Sequence, residues 1–184
     1  MKTRDLVLVS LFAAIIVALG LMPPITLGFI PVPITLQTLG VMLAGVILGA
    51  RRGALAALLV ILLVVIGLPV LSGGRGGLAV FAGPTVGFLL GWVPGAFVTG
   101  LIAERFGRAI SPATQTVGFF AAAVIGGIAV VYLLGIGVLA FHVGLRNAIV
   151  GSMAFIPGDL IKAVIAALAG RTVMVGYPLL PHRA

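Results

Sequence analysis

The chain has 184 residues, 62% of them hydrophobic and 8% charged, with a mean hydropathy of +1.38. Soluble domains carry about 25% charged residues, so this composition excludes one and makes the chain an integral membrane protein. The formal charge of +8 is distributed between apolar runs instead of over one wetted face, which argues against a nucleic-acid partner. There is no cysteine, and the two histidines, His142 and His182, stand far apart, so neither a metal centre nor a resident cofactor is expected.

Apolar stretches cover residues 6–22, 34–50, 53–70, 83–103, 116–140 and 154–169. At about 20 residues per crossing, they predict an all-α membrane protein, a bundle of about six transmembrane helices forming one domain over residues 1–184. The first run follows Lys2 and Arg4 like a signal peptide, but no small-residue cleavage site comes after it, so it reads as a retained span. It carries Ala14 and Ala18, a small-residue strip that lets another helix approach closely, whether from within the chain or from a partner.

The second run is short and abuts Arg51 and Arg52, as a tilted or partly re-entrant segment would. Its start, "PVPITLQTLG", holds Thr35, Gln37 and Thr38. A threonine hydroxyl can bond back to its own helix, whereas a glutamine amide cannot satisfy four hydrogen-bond sites locally. After the third run comes "GGRGGLAVFAGPT", residues 73–85, which lacks the Gly-Lys-Ser/Thr ending of a phosphate loop. It reads as a flexible flap whose one arginine, Arg75, is either a solvated charge or a hand for an anion.

Gly83, Gly87, Gly91 and Gly95 recur every four residues around the fourth run, a pattern that suits internal helix packing. Trp92 with Phe81, Phe88 and Phe155 can wall an apolar cavity or serve as scattered core and interface anchors. Beyond the fifth run, "FHVGLRNAIVGSMAFIPG" reads as an outer loop containing Arg146 and Asn147. The sixth run opens "FIPGDLIKAVIAALAG", where Pro157 and Gly158 mark a helix start.

Asp159 and Lys162 follow at a spacing of three and share one helix face. Each would cost about 2.5 kcal/mol or more in lipid, so both must look into the bundle. Two readings stand: an ion pair that locks the helix in place, or a ligand site in which backbone N–H groups free at the helix start assist the acid.

With an internal amino terminus, Lys2, Arg4, Arg51, Arg52, Arg105, Arg108, Arg171 and Arg183 fall on the inner side and only Arg75 and Arg146 outside. The positive-inside rule then places both termini in the cytoplasm. The remaining polarity faces outward, as in a capped pocket for a small polar or zwitterion-like molecule with an apolar body. No nucleophile with a base, and no metal cluster, marks an enzyme. A self-sufficient carrier, in which Asp159 titrates and couples an organic anion to protons, is the alternative from another class.

The stretches "PVPITLQTLGVMLAGVILG", "GLPV", "GGLAVFAGPTVGFLLGW" and "FIPGDLIKAVIAA" closely resemble the BioY family, and the likeness extends over nearly the whole chain. One departure is Val86-Gly87-Phe88 in place of Gly-Gly-Tyr, which removes a phenolic hydroxyl at position 88. The resemblance implies a six-helix S component in a prokaryotic cytoplasmic membrane, which binds biotin from outside. It implies as partners a transmembrane T component and two ATPase subunits of an energy-coupling factor (ECF) transporter. The absence of a nucleotide motif here agrees with ATP chemistry on other chains. Asp159 is expected to accept a ureido N–H, with Lys162 orienting it or donating to the ligand. Asn147 and Gln37 would complete the head-group contacts, and Arg75 or the flap backbone would take the carboxylate. The expected binding set also includes Thr35, Gly83, Thr85 and Phe155, and Ala14 with Ala18 matches an Ala-x-x-x-Ala docking surface for the T component.

Overall fold

The computed structural model describes residues 2–108, 111–177 and 179–180; His182 and Arg183 lie outside the described residues. The regular elements described are helical: α1 (Thr3–Gly20), α2 (Gln37–Leu48), α3 (Ala50–Val65), α4 (Val86–Phe106), α5 (Pro112–Ala122), α6 (Val131–Val143), α7 (Leu145–Met153) and α8 (Ile156–Gly176). A 3₁₀ turn (Leu78–Ala82) precedes α4, and a π-helical segment (Ala123–Val130) joins α5 to α6 without a break.

Three stretches are long and apolar enough to cross a bilayer: α1, α4 and the continuous helix Pro112–Val143. The pair α7 and α8, bent by 51° at their junction, makes a fourth if taken as one broken span. Helix α2 has 12 residues and α3 has 16; at 1.5 Å per residue they reach about 18 and 24 Å, short of the roughly 30 Å hydrocarbon layer. The chain is therefore an all-α membrane protein with three to four long apolar spans and two shorter helices between them.

Run 34–50 becomes helical only at Gln37. Ahead of it the backbones of Ile25 and Ile34 exchange hydrogen bonds of 3.0 and 2.8 Å, which holds residue 34 in extended form. Arg51 and Arg52 belong to the first turn of α3, because the turn after α2 is Gly49 alone, at φ 84°. That left-handed conformation is one that glycine adopts without steric penalty. The stretch 141–158 is not the outer loop its composition predicts: residues 145–153 form α7, entered through Gly144 at φ 83°. Its polar residues look loop-like because one face of this short helix is exposed.

Helix α4 is the centre of the bundle, packed against α2, α3, α5, α6 and the π segment. Its glycines permit this. Gly91 lies 3.1 Å from the Val131 backbone, measured from where a Cβ would stand, and Gly95 2.9 Å from the Gly126 carbonyl, while Gly87 meets Leu134 and Val138. A methyl group at Gly100 would collide with the backbone of Gly49 and Ala50. The stripe is thus an internal packing seam, and Gly83 falls before the helix, where it caps the 3₁₀ turn.

The described chain ends meet at one end of the bundle. Arg52 contacts Asp5 (3.5 Å), donates to the Leu48 carbonyl (3.0 Å) and bonds the Leu179 carbonyl. Arg4 stands 5.1 Å over the Tyr177 ring. Gln115 at the start of α5 donates to the carbonyl of Gly107 just after α4 (3.0 Å). The basic residues near both ends and at the α2–α3 turn are therefore gathered on the side opposite to the flap.

Candidate functional site

The starts of α2, α4 and α8, the part of α6 just after the π segment, and the segment around Arg75 converge on a hollow of about 80 Å³. Asp159 and Lys162 reach into it from α8, at 4% and 5% exposure. The helix begins where Pro157 predicts, with proline in its first turn. Asp159, however, offers no free backbone donor: α7 leads into α8 closely enough that its N–H bonds the Phe155 carbonyl at 3.0 Å.

The two charges are 2.7 Å apart, and neither relies on the other alone. Lys162 Nζ donates to Asp159 Oδ1 (2.7 Å), to the Thr35 carbonyl (2.7 Å) and to Thr38 Oγ1 (3.0 Å). An ammonium has three donors, so all are committed within the protein. Thr38 in turn donates to Asp159 Oδ1 at 3.3 Å. The second carboxylate oxygen, Oδ2, accepts from the Tyr132 hydroxyl at 2.5 Å. An ionised carboxylate has about four acceptor positions; three are filled here, and the one remaining is on Oδ2.

This arrangement fits an orienting role for Lys162 better than direct donation to a solute. Its immediate job is electrostatic, since removing one partner of a buried ion pair costs about 3–5 kcal/mol. The wall beside the pair is apolar: Phe88, Leu89, Trp92, Val131 and Phe155 line the hollow. Phe88 sits edge-on to Tyr132 (5.9 Å between centroids) and to Phe155 (6.2 Å). Phe81 packs beside this cluster but does not line it.

Of the residues singled out in the sequence, Asp159, Lys162, Thr35, Gln37, Arg75, Thr85 and Phe155 come together around the hollow. Gln37 is 1% exposed and three of its amide's four hydrogen-bond sites are engaged, which makes it a strut. It donates to the carbonyls of Ile16 (3.3 Å) and Val70 (3.1 Å) and accepts from the Ser72 N–H (2.9 Å), tying α1 and the flap to α2. Arg75 donates from Nε to the Ser72 carbonyl (3.2 Å), and its terminal nitrogens have no partner among the described residues.

Asn147 and Gly83 are not brought in. Asn147 is exposed on α7 and donates to the Val143 carbonyl one turn back (3.0 Å). Tyr132 is the polar residue that sequence reasoning passes over. The signal for it was a lone phenol inside "GGIAVVYLLGIG", a hydroxyl in an otherwise apolar span that needs a partner when buried.

Fold and site together define an all-helical membrane protein with a charged pocket buried at one end of its bundle. The model of the BioY family matches residues 1–178, and the chain belongs to that family. It is 71% identical to the biotin transporter BioY of Rhizobium etli over the full length of both chains. It is also 55% identical to the biotin transporter BioY of Rhodobacter capsulatus, over 92% of this chain and 93% of that one. Among solved structures, the crystal structure of the S component for biotin from an ECF-type ABC transporter matches with a TM-score of 0.86 at 33% identity, over 94% of each chain.

Proposed function

We propose that the chain is the biotin-binding S component of an ECF-type vitamin transporter, capturing biotin at the outer face of a prokaryotic cytoplasmic membrane. The observation that carries this reading is the Asp159 carboxylate: buried, held by Lys162, Thr38 and Tyr132, and left with one acceptor position beside an apolar hollow. A ureido N–H supplies the missing donor. Phe88, Trp92 and Phe155 offer the apolar surface that a thioether ring and an aliphatic chain require. The uncommitted guanidinium nitrogens of Arg75 suit the terminal carboxylate, for which a bidentate arginine contact is the strong solution. Thr35 and Thr85 flank these contacts.

The hollow of about 80 Å³ is smaller than the roughly 300 Å³ at which ligand pockets begin. Admission of a bicyclic solute is eased if the segments that line the hollow move outward. The flap that carries Arg75 is suited to this, with Gly73, Gly74 and Gly77 all at positive φ. In topology the reading is of one domain with six membrane passages, α2 and α3 being the short ones, and both termini cytoplasmic. The basic residues gathered at the end opposite the hollow support that orientation. Energy would come from a T component and two ATPase subunits, docked through the face of α1 on which Ala14 and Ala18 are exposed.

Calorimetric titration of the detergent-purified chain with biotin, using thiamine and riboflavin as controls, tests the proposal. Saturable binding of biotin alone is expected. Absence of biotin binding, or equal binding of all three vitamins, would overturn it.

A further inference from the structure

We infer that Tyr132 is itself a ligand contact, and that its hydroxyl and Asp159 Oδ2 form a donor and acceptor pair that reads one N–H/C=O edge of the ureido ring. The inference rests on the biotin reading above and adds a residue and a recognition rule to it.

The hydrogen-bond inventory singles out this hydroxyl. Asp159 Oδ1 is filled by Lys162 and Thr38, and the three donors of Lys162 are all used, so the carboxylate is held and compensated without Tyr132. The Tyr132 hydroxyl lies on the other oxygen and belongs to a side chain that lines the hollow. A phenolic proton turns about its C–O bond with no movement of the backbone, so this bond in the network can be re-aimed cheaply. The ring stays fixed by its edge-on contact with Phe88.

Geometry matches the edge. Tyr132 Oη and Asp159 Oδ2 are 2.5 Å apart. In a urea, nitrogen and carbonyl oxygen on one side are separated by about 2.3 Å, from standard C–N and C=O lengths. Once the proton between them turns to the ligand, the two oxygens part to about 3 Å, the closest approach of oxygens that share no proton, and two nearly parallel hydrogen bonds can form: ureido N–H to Oδ2, and Tyr132 O–H to the ureido oxygen. The Tyr132–Asp159 bond is exchanged for two bonds to the ligand, and no buried polar atom is left unpaired. A ligand that carries a donor in place of the carbonyl cannot accept the Tyr132 proton, which then stays on Oδ2 and leaves only the phenol lone pair to face the ligand; the paired exchange that biotin permits is lost, and sites built to pair with a polar group discriminate against analogues that pair less well.

The test compares biotin with 2-iminobiotin, whose ring carbonyl is replaced by a C=NH₂⁺ donor at neutral pH. Affinities of the wild-type chain and of Tyr132→Phe are measured by competition titration, with thermal melting to confirm that the variant is folded. The wild type should prefer biotin, and Tyr132→Phe should narrow that preference about tenfold, by losing affinity for biotin and little for the analogue. An unchanged preference, whether both affinities fall together or neither falls, overturns the inference and leaves Tyr132 as a positioning residue for Asp159. A wild-type chain that binds no biotin overturns the functional reading itself, a result distinct from binding with unaltered preference.

Discussion

Replacing Asp159 by asparagine separates the roles of the acid most directly. The amide keeps one oxygen, and two donors, Lys162 Nζ at 2.7 Å and Thr38 Oγ1 at 3.3 Å, compete to have it where Oδ1 now sits. The NH₂ group then takes the place of Oδ2, facing the Tyr132 hydroxyl and the position assigned to the ligand donor. A charge-assisted hydrogen bond of about 1.5–3 kcal/mol is lost there, equivalent to a ten- to roughly hundredfold weaker biotin Kd at 1.4 kcal/mol per decade. The buried ammonium also loses its counter-charge, so thermal stability should fall, toward the roughly 3–5 kcal/mol expected when one member of a buried pair is removed. The double variant Asp159→Asn/Lys162→Met should recover much of that stability without recovering affinity. Titration calorimetry and detergent melting curves report the two effects separately. Unchanged affinity in a folded Asp159→Asn protein would refute the reasoning and reduce the acid to a structural clamp.

Three further substitutions divide ligand contacts from supports. Gln37→Leu removes three hydrogen bonds, two of them buried, to Ile16, Val70 and Ser72 and should destabilise the chain by about 2–4 kcal/mol; a melting temperature equal to wild type would show that the flap is held by other means. Asn147→Ala should leave the biotin Kd within about twofold, because its amide is bonded to its own helix on an exposed face, and a tenfold loss by calorimetry would bring α7 into the site. Ala14→Trp should bind biotin normally yet fail to co-purify with a T component, since bulk on a small-residue face blocks close helix approach; intact co-purification would discard the docking role of this face.

Much of the site was legible because charge is so costly in lipid. An acid and a lysine three apart in an apolar run had to face inward, and they do. The glycines at 87, 91 and 95 had to serve packing, and they meet the backbone of α6 and the π segment. Asn147 shows the limit of such reading. Proximity in sequence to α8 made it look like part of the site, but α7 intervenes and turns it outward. Gln37 shows another: an amide that cannot be satisfied locally points equally to a solute or to distant backbone, and three backbone groups from two other segments fill three of its four sites. Phe88 lacks the phenol expected at its position, yet a phenol is present one ring away on Tyr132. The adjacency depends on the packing of α4 against α6, and no local pattern reveals it.

By itself the sequence determined the solvent, the helical class and the identity of the buried ion pair, because transfer free energies act residue by residue and can be read along the chain. Only the tertiary structure decided which polar atoms around that pair are already paired and which are left for a solute. Hydrogen bonds such as those from Lys162 to Thr35 and from Tyr132 to Asp159 join residues far apart in the chain, and their geometry exists only once the helices are packed.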